Sequence, residues 1–318
     1  MVFIIGAISI GITFLYGCIG EILTEKSGHL NLGIPGIMTF GAAGGCVGVS
    51  LYMGGLSDPN NASWFFLILF SILTAALFAA ALGAIYSFLT VSLRANQNIT
   101  GLAITTFGVG LSMFLMESTV DKTYFAKAST YFVKSLPFAE KLGWFGELFL
   151  SHGVLVYLAI TLALLMAWVL NKTRVGLHLR AVGENPATAD AAGINVTVYK
   201  YVATCTGSAI AGVGGLFYVM DYLNGSWEYG IEAMGWLAIA LVIFTMWRPN
   251  LSILGSFLFG GLYIAAEFIV GASSSQKELL KLLPYVVTIV VLIITSVLDS
   301  KENQPPAALG LSYFREER

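Results

Sequence analysis

The feature that most restricts this chain is a near-continuous succession of apolar runs, each about as long as a helix needs to cross a bilayer. About 20 mostly apolar residues suffice, because 1.5 Å of rise per residue must cover roughly 30 Å of hydrocarbon. Such runs occupy residues 2–20, 32–54, 64–93, 99–116, 154–170, 196–220, 233–247, 252–270 and 282–298. Only 11% of the 318 residues are charged and 57% are hydrophobic, too few charges to cover a water-soluble fold of this size. The expectation is an all-α polytopic membrane protein with about nine transmembrane helices, eight to ten allowing for two ambiguous runs. Residues 64–93 are too long for one upright span and imply tilt or an extension beyond the bilayer. Residues 32–54 are glycine-rich enough to fit a broken helix. The 35 glycines suit a lipid-embedded bundle, where they let helix backbones approach. Gly207, Ala211 and Gly215, and likewise Gly41 and Gly45, form small-residue stripes of this kind.

A formal net charge of −2 argues neither for nor against an acidic or basic partner, and no Lys/Arg block suggests nucleic acid. Cys18, Cys46 and Cys205 each lie inside an apolar run and read as small hydrophobes rather than a disulfide or metal set. Residues 1–20 lack a basic leader and a small-residue cleavage site, so they read as a retained span. Residues 20–27 fall one glycine short of a phosphate-binding loop, with Glu25 in the place of the second glycine, so no nucleotide site is expected in this chain. No zinc spacing or dinucleotide fingerprint is present, and His29, His152 and His178 are dispersed in sequence. Asn-x-Ser/Thr sequons, among them those beginning at Asn61, Asn98, Asn171, Asn195 and Asn224, read as chance, since several fall on the cytoplasmic side.

Basic residues near the span ends set the orientation. The loop after the fifth span carries Lys172, Arg174, Arg180 and Lys200, whereas the next carries Asp221, Glu228 and Glu232 with no basic residue. The first of these loops is therefore cytoplasmic. Alternation puts the amino terminus outside, the Arg94 and Arg248 turns inside, and residues 117–151 outside with a short surface helix expected among them. Lys277 and Lys281 fall outside, against the rule. Residues 1–298 form one transmembrane domain, and residues 299–318, with Pro305, Pro306 and terminal charges, read as a mobile cytoplasmic tail.

The most informative segment is residues 174–195, RVGLHLRAVGENPATADAAGIN. Asn185 is a good N-cap, Pro186 suits the first helical position, and Gly193 can take the left-handed conformation that closes a helix. They delimit a helix of about two turns at residues 185–193, too short to span a membrane. Ala187, Ala189, Ala191, Ala192 and Gly193 allow close docking in a partner groove, with Glu184 and Asp190 for polar registration. Capping of this type also occurs in ordinary loop helices, so it does not by itself name a partner.

The run GENPATADAAGIN at residues 183–195 resembles the coupling-helix signature of bacterial ABC importer permeases in the ribose, branched-chain amino acid and nucleoside group. GHLNLGIPGIM at 28–38, GWLAIALVIFTMWRPN at 235–250 and LGSFLFG at 254–260 resemble the same group, closest to its nucleoside branch. Pro35 departs from that branch, which has a glutamate there, and longer relatives carry an additional N-terminal span, in keeping with an outside amino terminus. The resemblance implies a multi-pass protein of the bacterial cytoplasmic membrane, with a short cytoplasmic coupling helix and no cofactor of its own. Its implied partners, besides the lipid bilayer, are a cytoplasmic ABC ATPase that binds the ATP, a paralogous permease forming a heterodimer, and an extracellular solute-binding lipoprotein. Gly183, Glu184, Asn185, Pro186, Ala187, Asp190 and Gly193 become the candidate ATPase-coupling residues. The implied cargo is a nucleoside first, then a simple sugar such as ribose.

Candidates for the translocation path are residues able to offer a polar or aromatic contact. Glu267 reads as the one acidic residue deep inside an apolar run, facing a cavity or a helix neighbour. Asn31, Asn98, Thr105 and Thr106 offer hydrogen bonds to a solute or glue between helices. Trp227 and Trp236 flank the acidic outer loop, as stacking platforms or as interfacial anchors. An ion-driven secondary transporter would place several ionisable groups at midplane, and a membrane enzyme would cluster catalytic His, Asp or Glu; the sequence offers little of the first and none of the second.

Overall fold

The computed structural model of the protein describes residues 2–135, 140–269, 271, 273–298 and 304–314. Each apolar run becomes a helix, because the backbone of a lipid-embedded segment must satisfy its own hydrogen bonds. The helices are α1 (Val2–Glu25), α2 (Ile34–Gly54), α3 (Trp64–Ser87), α4 (Gln97–Ser118), α5 (Phe125–Phe132), α6 (Gly143–Phe149) and α7 (Val154–Lys172). They continue as α8 (Arg174–Glu184), α9 (Pro186–Ala191), α10 (Val196–Phe217), α11 (Ile231–Phe244), α12 (Pro249–Ile264), α13 (Ser274–Leu280) and α14 (Leu283–Leu298). Among the described residues, 7 helices are long and apolar enough to cross a membrane. The remaining two of the nine expected spans are shorter, α11 with 14 residues and α14 with 16.

One sequence expectation changes and two gain detail. The glycine-rich second run is one unbroken helix. Its glycines meet other backbones, so that a β-carbon on Gly41 would collide with Gly212 of α10 and one on Gly36 with Thr105 of α4. The long third run is accommodated by α3 plus a π-helical turn at Phe88–Ser92, for a continuous helix of 29 residues. The outer segment holds two surface helices, α5 and α6; α6 exposes Trp144, Phe145 and Phe149, the aromatic face expected at a membrane–water boundary. Val270, the last residue of the eighth expected span, lies outside the described residues.

The core is built by α1, α2 and α10. Within their most apolar windows, α2 is 83% and α10 78% buried, whereas α3, α4 and α7 are each 33% buried. Close crossings explain why small residues stand where they do: Gly20 of α1 meets Gly207 of α10 backbone to backbone, Gly215 of α10 meets Met38 of α2, and Gly260 of α12 meets Ala7 of α1. Contact packing of this kind replaces the hydrophobic driving force that lipid does not supply. The amino-terminal half of α2 is wedged between α4 and α11, since Gly235 of α11 abuts Pro35.

At one end of the bundle lie the end of α1, the starts of α2, α4, α10 and α12, and the helices α8 and α9. This is the end that the basic residues assign to the cytoplasm. The carboxyl-terminal segment, expected to be mobile, lies against it. Pro306 and Ala308 are buried, the Ala308 N–H donates to Gly183 O at 2.9 Å, and Leu309 joins the main core. The apolar run PPAALGLSYF at 305–314 gives the physical reason, because it has surface to bury and the prolines cost it little further backbone freedom. Residues 299–303 and the charged terminus 315–318 lie outside the described residues.

Candidate functional site

The expected coupling element forms, at the end that the basic residues assign to the cytoplasm, as three successive capped helices. Thr173 starts α8 by accepting the Gly176 N–H at 3.1 Å. Asn185 Oδ1 accepts the Thr188 N–H at 3.0 Å and starts α9, whose first residue is Pro186. Asn195 Oδ1 accepts the Val198 N–H at 3.0 Å and starts α10. Between the last two caps, Gly193 takes φ +83°, which only glycine adopts without strain. The Ile194 N–H then returns to Ala189 O at 3.0 Å, closing the carbonyl end of α9.

The resulting six-residue helix has an inner and an outer side. Ala189 is buried in a small apolar cluster with Val182 and Val196, which Ile194, Tyr199 and Tyr313 surround. Glu184, Asn185, Thr188, Ala191, Ala192 and Gly193 are exposed, and a β-carbon at Gly193 would meet nothing within 4 Å. Gly183 is buried against the Lys26 carbonyl. Pro186 and Ala187 are half-buried. Asp190 accepts the Tyr313 hydroxyl at 2.9 Å, and Glu184 accepts the Ala307 N–H at 3.4 Å. Of the seven expected coupling residues, three are therefore engaged by the carboxyl-terminal segment, a contact that no local pattern signals.

Beneath α9 the α1–α2 connection is a buried polar junction. His29 is wholly buried, with Nε2 2.6 Å from Thr90 Oγ1 and Nδ1 2.8 Å from Thr204 Oγ1. The Thr90 hydroxyl already donates to Tyr86 O at 2.7 Å, so Nε2 carries the hydrogen and Nδ1 accepts from Thr204. Burial first, then the charge of Lys200, pushes the His29 pKa down to about 3, so the imidazole is neutral. Lys26 is held below the ordinary lysine range chiefly by burial, partly offset by Glu184.

Glu21 and Glu25, on the last turns of α1, are also buried. The Asn31 N–H donates to Glu21 Oε1 at 3.0 Å, and the Trp247 indole N–H donates to Glu25 Oε2. Trp247 and Met246 both have positive φ, 55° and 53°, so Glu25 anchors a strained turn between α11 and α12. Sequence reading missed both carboxylates because it closed the first span at residue 20; their spacing of four, which puts them on one helix face, was the available signal.

The path candidates are dispersed. Asn31 is wholly buried, with Oδ1 accepting the Gly33 N–H at 2.9 Å and Nδ2 without a partner. Thr105, half-buried, donates to Leu32 O at 2.9 Å. Asn98 and Thr106 are exposed on α4, Thr106 donating to Leu102 O at 3.2 Å. Trp236 is half-buried on α11, and Trp227 packs on the main core with its indole nitrogen unpartnered. Glu267 is not deep in a span. α12 ends at Ile264 and tightens to a 3-10 turn, leaving the Glu267 side chain 54% exposed and 3.5 Å from Lys277 and 4.0 Å from Lys281. Among the described residues no group of three or more His, Cys, Asp or Glu could hold a metal ion.

Residues 1–292 match the family described as the branched-chain amino acid transport system permease component. The chain belongs to this family. It is 31% identical to the nucleoside ABC transporter permease protein NupC of Lactococcus lactis, over 95% of the chain and 93% of that protein. It is 29% identical to the guanosine ABC transporter permease protein NupQ of Bacillus subtilis over 94% of the chain and 92% of that protein. It is 32% identical to a putative glucose ABC transporter permease, TsgC13 of Haloferax volcanii, over 76% of the chain and 70% of that protein. No solved structure matches the chain. The permease is thus a multi-pass protein of the cytoplasmic membrane and a transport component. In this permease α9 and its caps sit on the same end as the α1–α2 junction.

Proposed function

We propose that this permease is the membrane-spanning subunit of an ATP-binding-cassette importer for nucleosides. A paralogous permease completes the path, a separate ATPase drives alternation between outward-open and inward-open states, and a surface lipoprotein delivers the solute. The observation that carries the reading is α9: a doubly capped, six-residue helix whose exposed side consists of small and polar residues. A rigid short helix of this kind transmits a push, because its caps leave few free backbone groups to rearrange. The cargo rests on relatives described as nucleoside and guanosine permeases; the glucose permease among the relatives makes a sugar the second reading.

The exposed Asn98 and Thr106 of α4 and the half-buried Trp236 of α11 flank α2 and are the groups we assign to the path wall. Asn31 and Thr105 serve the junction behind it, and Glu267 closes the outer rim through its lysines.

The test is reconstitution of the permease with its ATPase and lipoprotein. Gly193→Val, which forces a branched side chain into the left-handed conformation, is expected to lower ATP-driven guanosine uptake at least tenfold while ATP hydrolysis persists. Uptake that continues after ATP is exhausted, driven by an ion gradient, would overturn the reading. Glucose in place of guanosine decides between the two cargoes.

A further inference from the structure

A cleft of about 660 Å³ opens at the cytoplasmic end, between the α3–α4 turn, the first turn of α10 and the carboxyl-terminal segment. Its size falls within the range that holds a small organic ligand. Lys200 lines it, only 3% exposed, and makes no hydrogen bond or ion pair with any described residue. An ammonium at the tip of so buried a side chain, meeting water only through the cleft, is stabilised when an anion enters to face it. The approach of α10 adds to this field. Its first turn, with Asn195 and Thr197, faces the cleft. The N–H groups of Val196 and Thr197 precede the first intrahelical acceptors, so they point along the positive end of the helix dipole. Arg94 lines the opposite wall beneath the ring of Phe314, 4.7 Å from its centroid. Asp190 is the one carboxylate among the described lining residues, and its Oδ2 takes the Tyr313 hydroxyl. His29 at the back is neutral.

We propose that this cleft is a binding site for a phosphate group presented from the cytoplasmic side. Lys200 neutralises the dianion, and the first turn of α10 supplies donor N–H groups. This combination suits a tetrahedral oxyanion better than a planar carboxylate, because donors converge from two directions. The phosphate arrives on a small solute such as a nucleoside monophosphate or on a lipid headgroup. Once seated, it bridges the turn after α9 to the α3–α4 turn.

Binding is measured on the permease alone, so the outcome is independent of whether α9 couples to an ATPase. The protein is placed in nanodiscs of phosphatidylcholine and titrated calorimetrically with inorganic phosphate and with adenosine monophosphate. Saturable binding in the micromolar to millimolar range is expected, weakened at least tenfold in Lys200→Met and largely kept in Lys200→Arg. Because Lys200→Met removes a buried unpaired charge, its thermal midpoint should not fall; Lys200→Gln serves if it does. In a second arm, discs doped with phosphatidic acid are compared for lipid retention by native mass spectrometry. Lys200-dependent retention with silent soluble probes assigns the phosphate to the membrane. Absence of binding in both arms, or equal binding by wild type and the Lys200 variants, overturns the site.

Discussion

His29 is a titratable side chain in a place where taking a proton is strongly disfavoured. Its ring nitrogens are both used by threonine hydroxyls, and its face lies 4.9 Å from the Tyr86 ring centroid. The unfolded chain takes up a proton near pH 6.5, whereas the folded chain resists until about pH 3. The unfolded state therefore binds more protons across that window, and stability is lost as pH falls through it, by up to about 1.4 kcal/mol per pH unit for this one group. Thermal unfolding in detergent between pH 7.5 and 4.5 should show a midpoint that declines from about pH 6.5 downward, more gently in His29→Gln. An equal decline in both would remove His29 as the cause. Little of this was legible beforehand, since a histidine next to a glycine in a short loop carries no mark of what will stack on it. The same holds for Lys200, which the charge reading counts with the preceding loop although it stands at the fifth residue of the apolar run 196–220.

Among the elements, the spans were legible because lipid imposes a length and a composition on any crossing helix. Their ends were less so. α1 runs five residues past its apolar stretch because Glu21 and Glu25 find protein partners, and α12 stops short of Glu267 because its last turn tightens. α9 was legible down to its caps, since Asn185, Pro186 and Gly193 act through local backbone chemistry. The docking of residues 304–314 was not, because it depends on surfaces remote in sequence. Tyr313→Phe isolates that docking. Loss of the hydroxyl should cost about 1 kcal/mol and raise amide exchange roughly fivefold in residues 304–314 and α9. Exchange unchanged in α9 would mean that the segment merely rests on the turn without stabilising it.

At the scale of the whole molecule, the fold depends on a few glycine crossings around α1, α2 and α10. Gly207 faces Gly20 with no room for a side chain on either. Gly207→Leu is therefore expected to separate α1 from α10, destabilising the bundle by roughly 2–4 kcal/mol, in the range of severe overpacking. A monodisperse variant with an unchanged thermal midpoint would contradict the crossing. The small-residue stripes announced that such contacts exist, but not which helices share them, because every span offers some.

The position of α1 has a consequence for biogenesis. Its neighbours are mainly α7, α10, α11 and α12, all of which leave the ribosome long after it does. Until they arrive, Glu25 has no indole to meet it, and the glycine face of α1 lies bare. A nascent chain arrested after α4 should therefore be held by the insertion machinery or by membrane chaperones, rather than released as a stable half-protein.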